Sequence, residues 1–289
     1  MKIVSFGDSF VFGTEIPDNI SGDKSWIGLA AKKLGVDYET LAVAGCGNDH
    51  IARQIYSYFS ENSVEDTLAI INWTWASRWD FHMLGEFAEK IDKHDFSSES
   101  EYSTFAGESW PSFADYVQRK NLTAKVAKEI DAVLESLSHT TVNDKWFTLG
   151  PTCVPKKLEW INNDSKAIEI LNFYNEFLQH SVLWNNIRSL QTISSAQNYL
   201  NTKGVKNIQT YMDYELFTTD ELLSPKYISE LQKQVKPNLS LFHEDLNFLD
   251  WARSMNFAIT ASPGDHPLAE AHQAAADLWL DRYKEKLFN

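Results

Sequence analysis

The sequence predicts a three-layer α/β/α protein, with helices on both faces of a doubly wound parallel sheet of about five strands and a helical insertion. Three observations carry that expectation. Lys2-Ile3-Val4-Ser5-Phe6 and Thr67-Leu68-Ala69-Ile70-Ile71-Asn72-Trp73 are near-continuous apolar runs, the character of strands covered on both faces. Apolar residues at helical spacing stand between them. Strand and helix therefore alternate, which implies parallel pairing with crossovers.

The elements follow in order. Gly7 after the first strand reads as a tight turn, and Ser25 to Leu34 reads as the first crossover helix, capped by Ser25 and stopped by Gly35. Asp37 to Ala44 is the second strand, ending in Gly45-Cys46-Gly47-Asn48, and Ile51 to Phe59 the next helix. Asn48 and Asp49 are expected to cap that helix or, alternatively, to polarise a substrate. From Arg78 to about Ser138 the alternation fails, and an irregular stretch rich in Ser, Glu and aromatics precedes an amphipathic run from about Leu122 to Leu137. Long irregular segments inside compact domains are usually functional, so a lid over residues 80–138 is expected. Lys145 to Leu149 reads as a fourth strand, Ser165 to about Asn201 as one long helix capped by Asp164, and Val205 to Met212 as a further strand. Leu246 to Met255 is helical, Phe257 to Thr260 extended, and Leu268 to Lys286 a terminal helix. No repeat or low-complexity linker divides the chain, so one domain over 1–289 is expected.

Composition narrows the function. With 289 residues and 43% hydrophobic content the chain can bury a core, and its formal charge of −14 disfavours nucleic acid and anionic membrane surfaces as partners. Two cysteines, Cys46 and Cys153, make no disulfide framework, and no Cys or His spacing suits a metal. The first apolar run breaks at Gly7-Asp8 before a signal-peptide core forms, and no stretch reaches the ~20 apolar residues of a membrane span. A cytoplasmic setting is expected.

The chemistry concentrates at the two ends. Gly7-Asp8-Ser9-Phe10 places a serine where a parallel strand exits, and Gly264-Asp265-His266-Pro267 places a histidine in a loop before the last helix. Strand exits at the carboxyl edge of such sheets are where ligand crevices form. Gly-Asp-Ser alone is an ordinary turn tripeptide, and a lone loop histidine says little. Their conjunction in type, position and chain order points to a serine nucleophile and its general base.

With Ala42-Val43-Ala44-Gly45 after the second strand added to these two blocks, the chain resembles the SGNH hydrolases, also called GDSL-type esterases and lipases. The resemblance implies a flavodoxin-like sheet order, Ser9 as nucleophile, His266 as base and the Gly45 N–H as an oxyanion donor. Two departures stand out. Where the family carries Gly-x-Asn-Asp after strand three this chain has Asn72-Trp73-Thr74-Trp75, so direct alignment makes Thr74 the second oxyanion donor and Asn72 the alternative. Where the family places an Asp three residues before the histidine, this chain has Pro263. Asp265 is then the expected partner of the His266 ring, with a backbone carbonyl or Asp213 as alternatives.

The activity so implied is hydrolysis of a carboxylic ester through an acyl-enzyme, with no cofactor. Ten tryptophans lean the substrate toward O-acyl or O-acetyl groups on glycans, whose flat faces stack on indole. Trp73 and Trp75 suit stacking or packing equally. Acyl transfer by the same residues, or a non-catalytic glycan- or protein-binding module on a decayed hydrolase fold, are the alternatives.

Overall fold

The computed structural model describes residues 1–19, 21–82, 146–150, 169–170, 172–217, 226–261 and 265–288. The chain divides into two compact units, Met1–Ala76 with Val182–Asn289, and Ser77–Ser181. The expected lid over residues 80–138 falls in the span of the second unit. Beyond His82 it lies outside the described residues, as do the amphipathic run from Leu122 to Leu137, Asp164 and Pro263.

The first unit is built on a sheet of four parallel strands, β1 (Lys2–Phe6), β2 (Asp37–Thr40), β3 (Thr67–Trp73) and β4 (Lys206–Tyr211), in the order β2-β1-β3-β4. Side chains alternate across a strand, and the two cores follow that period of two. Ile3, Leu68 and Ile70 point to one face, while Val4, Phe6, Ala69, Ile71 and Trp73 point to the other. All seven residues of β3 are buried, as expected of a central strand with helices on both sides.

On the first face lie α1 (Ser9–Phe12), a single turn, and α2 (Trp26–Leu34), where Ser25 Oγ accepts the Gly28 N–H and Gly35, at φ 65°, closes the helix. The second face holds α3 (Asn48–Glu61), α4 (Val182–Lys203) and α5 (Lys226–Val235). The amphipathic α5 is an element that the sequence reading left out. Beyond it, α6 (Phe248–Ser254) is capped by the Asn247 side chain, which accepts the Asp250 N–H at 2.9 Å. It returns with α7 (Ala269–Phe288) to the first face, where Trp26 meets Phe242, Phe248 and Trp279 in one aromatic cluster.

Two expectations need correction. The run ending at Leu149 does not join the parallel sheet: Trp146–Leu149 pairs antiparallel with Trp79–His82 inside the second unit. A run of four residues, three of them apolar, is too short to distinguish a sheet-core strand from half of a hairpin. The long helix expected from Ser165 is divided, with a π-helical turn at Tyr174–Leu178 and a break before α4 begins at Val182. Within the second unit Leu149, Tyr174 and Leu178 are buried together, and the Tyr174 hydroxyl donates to the Ser77 carbonyl at 2.9 Å.

Gly7 sets the position of the turn after β1 by its lack of a side chain. A Cβ there would lie 2.4 Å from Val11 Cγ2, 2.9 Å from Val11 Cβ and 3.1 Å from the Asn72 carbonyl oxygen. Valine is stiff at χ1 and cannot swing away cheaply. Gly7→Ala is therefore expected to cost about 1–3 kcal/mol of stability by overpacking, read as a lowered urea midpoint at unchanged m value.

Candidate active site

Asp8 organises the turn that carries Ser9. Its carboxylate is wholly buried, with Oδ1 accepting the Phe10 N–H at 3.1 Å and Oδ2 accepting the Thr74 hydroxyl at 2.7 Å. A buried carboxylate is costly unless its lone pairs are filled, and here they tie the exit of β1 to the exit of β3. Thr74 is held from behind as well. Asn48 accepts its N–H at 2.8 Å and donates to its carbonyl at 3.1 Å, a two-pronged backbone clamp from the start of α3.

These contacts revise several sequence expectations. The Thr74 hydroxyl proton is committed to Asp8, which removes it as an oxyanion donor. Asn72 meets Thr210 through Oδ1 alone, at 2.8 Å, so its amide hydrogens make no hydrogen bond among the described residues. Asn48 and Asp49 do not cap α3, whose N-cap is Gly47 without a side-chain bond. Asp49 instead binds Arg188 at 2.9 Å and the Thr192 hydroxyl. Asp213 accepts the Ala76 and Glu215 N–H groups, at 2.8 and 2.9 Å, and burial raises its carboxyl above the ordinary range despite them. It ties the end of β3 to the end of β4.

Ser9 itself opens α1 and is 3% exposed, and its Oγ makes no hydrogen bond among the described residues. The Ser9 N–H precedes the intrahelical donors and has no backbone partner among the described residues. Gly45 is buried at φ 74°, and its N–H likewise has no backbone partner, while its neighbours in the turn do, Val43 donating to the Gly7 carbonyl at 2.9 Å. Positive φ is the geometry that glycine enters without a Cβ penalty.

His266 comes from the opposite end of the chain to the same neighbourhood. Its ring lies 5.1 Å from the ring of Phe10, the residue after Ser9, and Phe10 also packs on Trp75 at 5.4 Å. No hydrogen bond joins Ser9 to His266 directly. The histidine backbone is fixed by Thr260, whose hydroxyl accepts the His266 N–H and whose own N–H donates to the His266 carbonyl, both at 2.9 Å. The neighbouring bridge Ile259 to Pro267 closes that ladder.

The partner of the His266 ring is not Asp265. Asp265 turns to Arg253, 3.4 Å away, whereas His266 Nδ1 lies 3.2 Å from Glu15 Oε2. Adjacent side chains on an extended or turning backbone diverge, which explains Asp265; Glu15 carried no sequence signal, being an ordinary turn residue 251 positions away. His272, six residues after His266, is buried in the core. Its Nδ1 accepts the Trp26 N–H at 3.0 Å, its ring also bonds the Pro267 backbone, and it stands edge-on to Phe248.

The tryptophans divide similarly. Trp26, Trp73, Trp251 and Trp279 are core residues, with Trp73 Nε1 donating to Gln209 at 2.9 Å. Trp75, half-buried against Phe10, is the tryptophan beside the candidate site. Among the described residues no helix is long and apolar enough to cross a membrane.

No model of a protein family matches the chain, and no curated protein does. Solved structures that it resembles include the psychrotrophic esterase EstA from Pseudoalteromonas sp., at 10% identity over 100% of this chain and 99% of that one, with a TM-score of 0.44. TesA is similar at 12% identity over 99% of each chain and a TM-score of 0.43. The acetyl xylan esterase Est2A from Butyrivibrio proteoclasticus is similar at 13% identity, over 99% of this chain and 64% of that chain, with a TM-score of 0.41.

Two outcomes follow from these contacts. Thr74→Val removes a hydroxyl donor from the buried Asp8 carboxylate and is expected to cost about 1–3 kcal/mol, measured by urea denaturation. His272 is pushed down to about 3, chiefly by burial and secondly by the nearby His266, with the Pro267 bond opposing. Its folded state resists a proton that the unfolded chain accepts, so stability is lost as pH falls from about 6.5 toward 3. Asp213, raised by burial, acts in the opposite sense at the acid end. The difference between wild-type and His272→Asn stability profiles isolates the first effect: the variant should show a shallower acid limb.

Proposed function

We propose that the chain is a divergent SGNH-type serine hydrolase that cleaves carboxylic esters, with Ser9 as nucleophile and His266 as general base. The observation that carries this reading is that Ser9, with an uncommitted hydroxyl, and His266, with one ring nitrogen held by a carboxylate, flank the same phenylalanine. A serine hydroxyl becomes a useful nucleophile only when a base takes its proton. His266 Nε2, opposite the nitrogen turned to Glu15, is the lone pair available for that step.

The reaction then runs in two halves. Ser9 Oγ attacks the ester carbonyl carbon as its proton passes to His266 Nε2, the carbonyl π pair moves onto oxygen, and the alcohol leaves with that proton as the C–O bond breaks. Water then attacks the acyl-Ser9 carbonyl as it gives a proton to the same nitrogen, the bond from the acyl carbon to Ser9 Oγ breaks, Oγ takes that proton back and the acid is released. The oxyanion formed in each half is met by the Ser9 and Gly45 N–H groups and by the Asn72 amide, donors without a hydrogen-bond partner among the described residues. Asn72 replaces Thr74 in this role.

Trp75 beside Phe10 offers an aromatic wall of the kind that stacks on a sugar ring, which favours O-acyl groups on glycans over long-chain esters. Trp26, Trp73, Trp251 and Trp279 lie in the core and drop out of that preference, which rests here on Trp75. Acyl transfer to a sugar hydroxyl would use the same residues with the alcohol in the place of water.

The test is hydrolysis of p-nitrophenyl acetate by the full chain. Ser9→Ala and His266→Ala should fall to the background rate with unchanged stability, and Asn72→Ala should lose about 100-fold in kcat, the usual cost of one oxyanion donor. Equal turnover in wild type and Ser9→Ala would leave the non-catalytic binding module as the better reading.

A further inference from the structure

We infer that Glu15 is the acid that orients His266, so that nucleophile and acid come from one short segment of the chain while the base alone comes from its far end. The inference rests on the Ser9–His266 reading above and adds to it the residue that neither the sequence pattern nor the resemblance supplies.

Geometry comes first. Glu15 Oε2 stands 3.2 Å from His266 Nδ1, and among the described residues this is the single side-chain partner of either group. Asp265, adjacent in sequence, is engaged by Arg253. Asp213 has both carboxylate oxygens on backbone N–H groups. Each acid that the sequence offered is thus spent elsewhere.

The loop that carries Glu15 is built to hold it. Gly13 and Thr14 both donate their N–H groups to the Ser9 carbonyl, at 2.9 and 3.1 Å, and Ile16 donates to the Gly13 carbonyl while burying its own side chain. Asn19, buried, donates to the Phe12 and Gly13 carbonyls at 2.7 and 2.9 Å and accepts the Lys24 N–H at 2.9 Å. Between these anchors Glu15 adopts φ 69°. That region is uncommon for a residue with a Cβ and persists where the surroundings over-determine it. The Ser9 carbonyl therefore anchors the Glu15 loop directly to the residue that carries the nucleophile.

The chemistry is that of a fixed tautomer. An imidazole with its proton on Nδ1, donated to a carboxylate, presents the Nε2 lone pair outward, and the carboxylate stabilises the imidazolium that forms when Ser9 loses its proton. Glu15 does not touch the reacting atoms and acts as a positioning residue. Being partly open to solvent, it contributes less than a buried acid would.

The experiment compares wild type with E15Q, E15D, D265N and S9A in two readouts: kcat and KM for p-nitrophenyl acetate, and the 15N shifts of the His266 ring nitrogens. E15Q is expected to lower kcat by about tenfold or more at unchanged KM and to move the ring proton from Nδ1 toward Nε2. E15D should recover part of both effects, and D265N should stay within about twofold with its ring shifts unaltered. Unchanged kcat and ring shifts in E15Q, or a tautomer change in D265N alone, overturn the assignment. If wild type turns over no faster than S9A the hydrolase reading fails, and the ring shifts still decide whether Glu15 sets the His266 tautomer.

Discussion

The buried Asp8 carboxylate is the contact on which the candidate site depends. With one oxygen on the Phe10 amide and the other on the Thr74 hydroxyl, it locks the exits of two adjacent strands to each other. Asn48 grips the Thr74 backbone from the third direction, so that β1, β3 and α3 end in a single hydrogen-bonded knot. Every later placement refers to this knot, because Ser9 follows Asp8 directly and Asn72 precedes Thr74 by two residues. Its cost is that a carboxylate sits without exposure in the interior, and such a group is tolerated only while its partners remain.

A second constraint works from the far end. His266 sits between two ladders, the Thr260 pair on one side and the His272 contacts of the last helix on the other. His272 links the first turn of α2 to the residue after His266, and burial together with the nearby His266 favours its neutral ring. The aromatic cluster of Trp26, Phe242, Phe248 and Trp279 surrounds this link. The backbone on either side of His266 is thus held by Thr260 and by the core-packed His272.

The sequence carried the frame well because apolar periodicity and glycine placement are local. Thr67–Trp73 was legible as a strand buried on both faces, and Ser25 and Gly35 marked both ends of α2. The hairpin strand ending at Leu149 and the break before Val182 were not legible, since neither changes the local pattern. In the candidate site the same division holds. Ser9 and Gly45 announce themselves by strand-exit motifs, whereas Glu15 meets His266 through a fold-back of 251 residues that no window of sequence contains. Thr74 illustrates the intermediate case: it was located correctly at the strand exit, but its hydroxyl was already committed to a neighbour that alignment does not reveal.

The first core also has an order of assembly written into it. Ile3, Trp26 and Ile27 are covered by Ala271, Ala275 and Trp279, which are separated from them by nearly the whole chain. Synthesis runs from the amino end at about 5–20 residues per second, so the apolar face of β1 and α2 emerges from the ribosome well before the helix that seals it. For some ten to fifty seconds on that scale the nascent protein presents a hydrophobic surface with no native cover. The docking of α7 is accordingly a late event, since its partners wait for nearly the whole chain to be made.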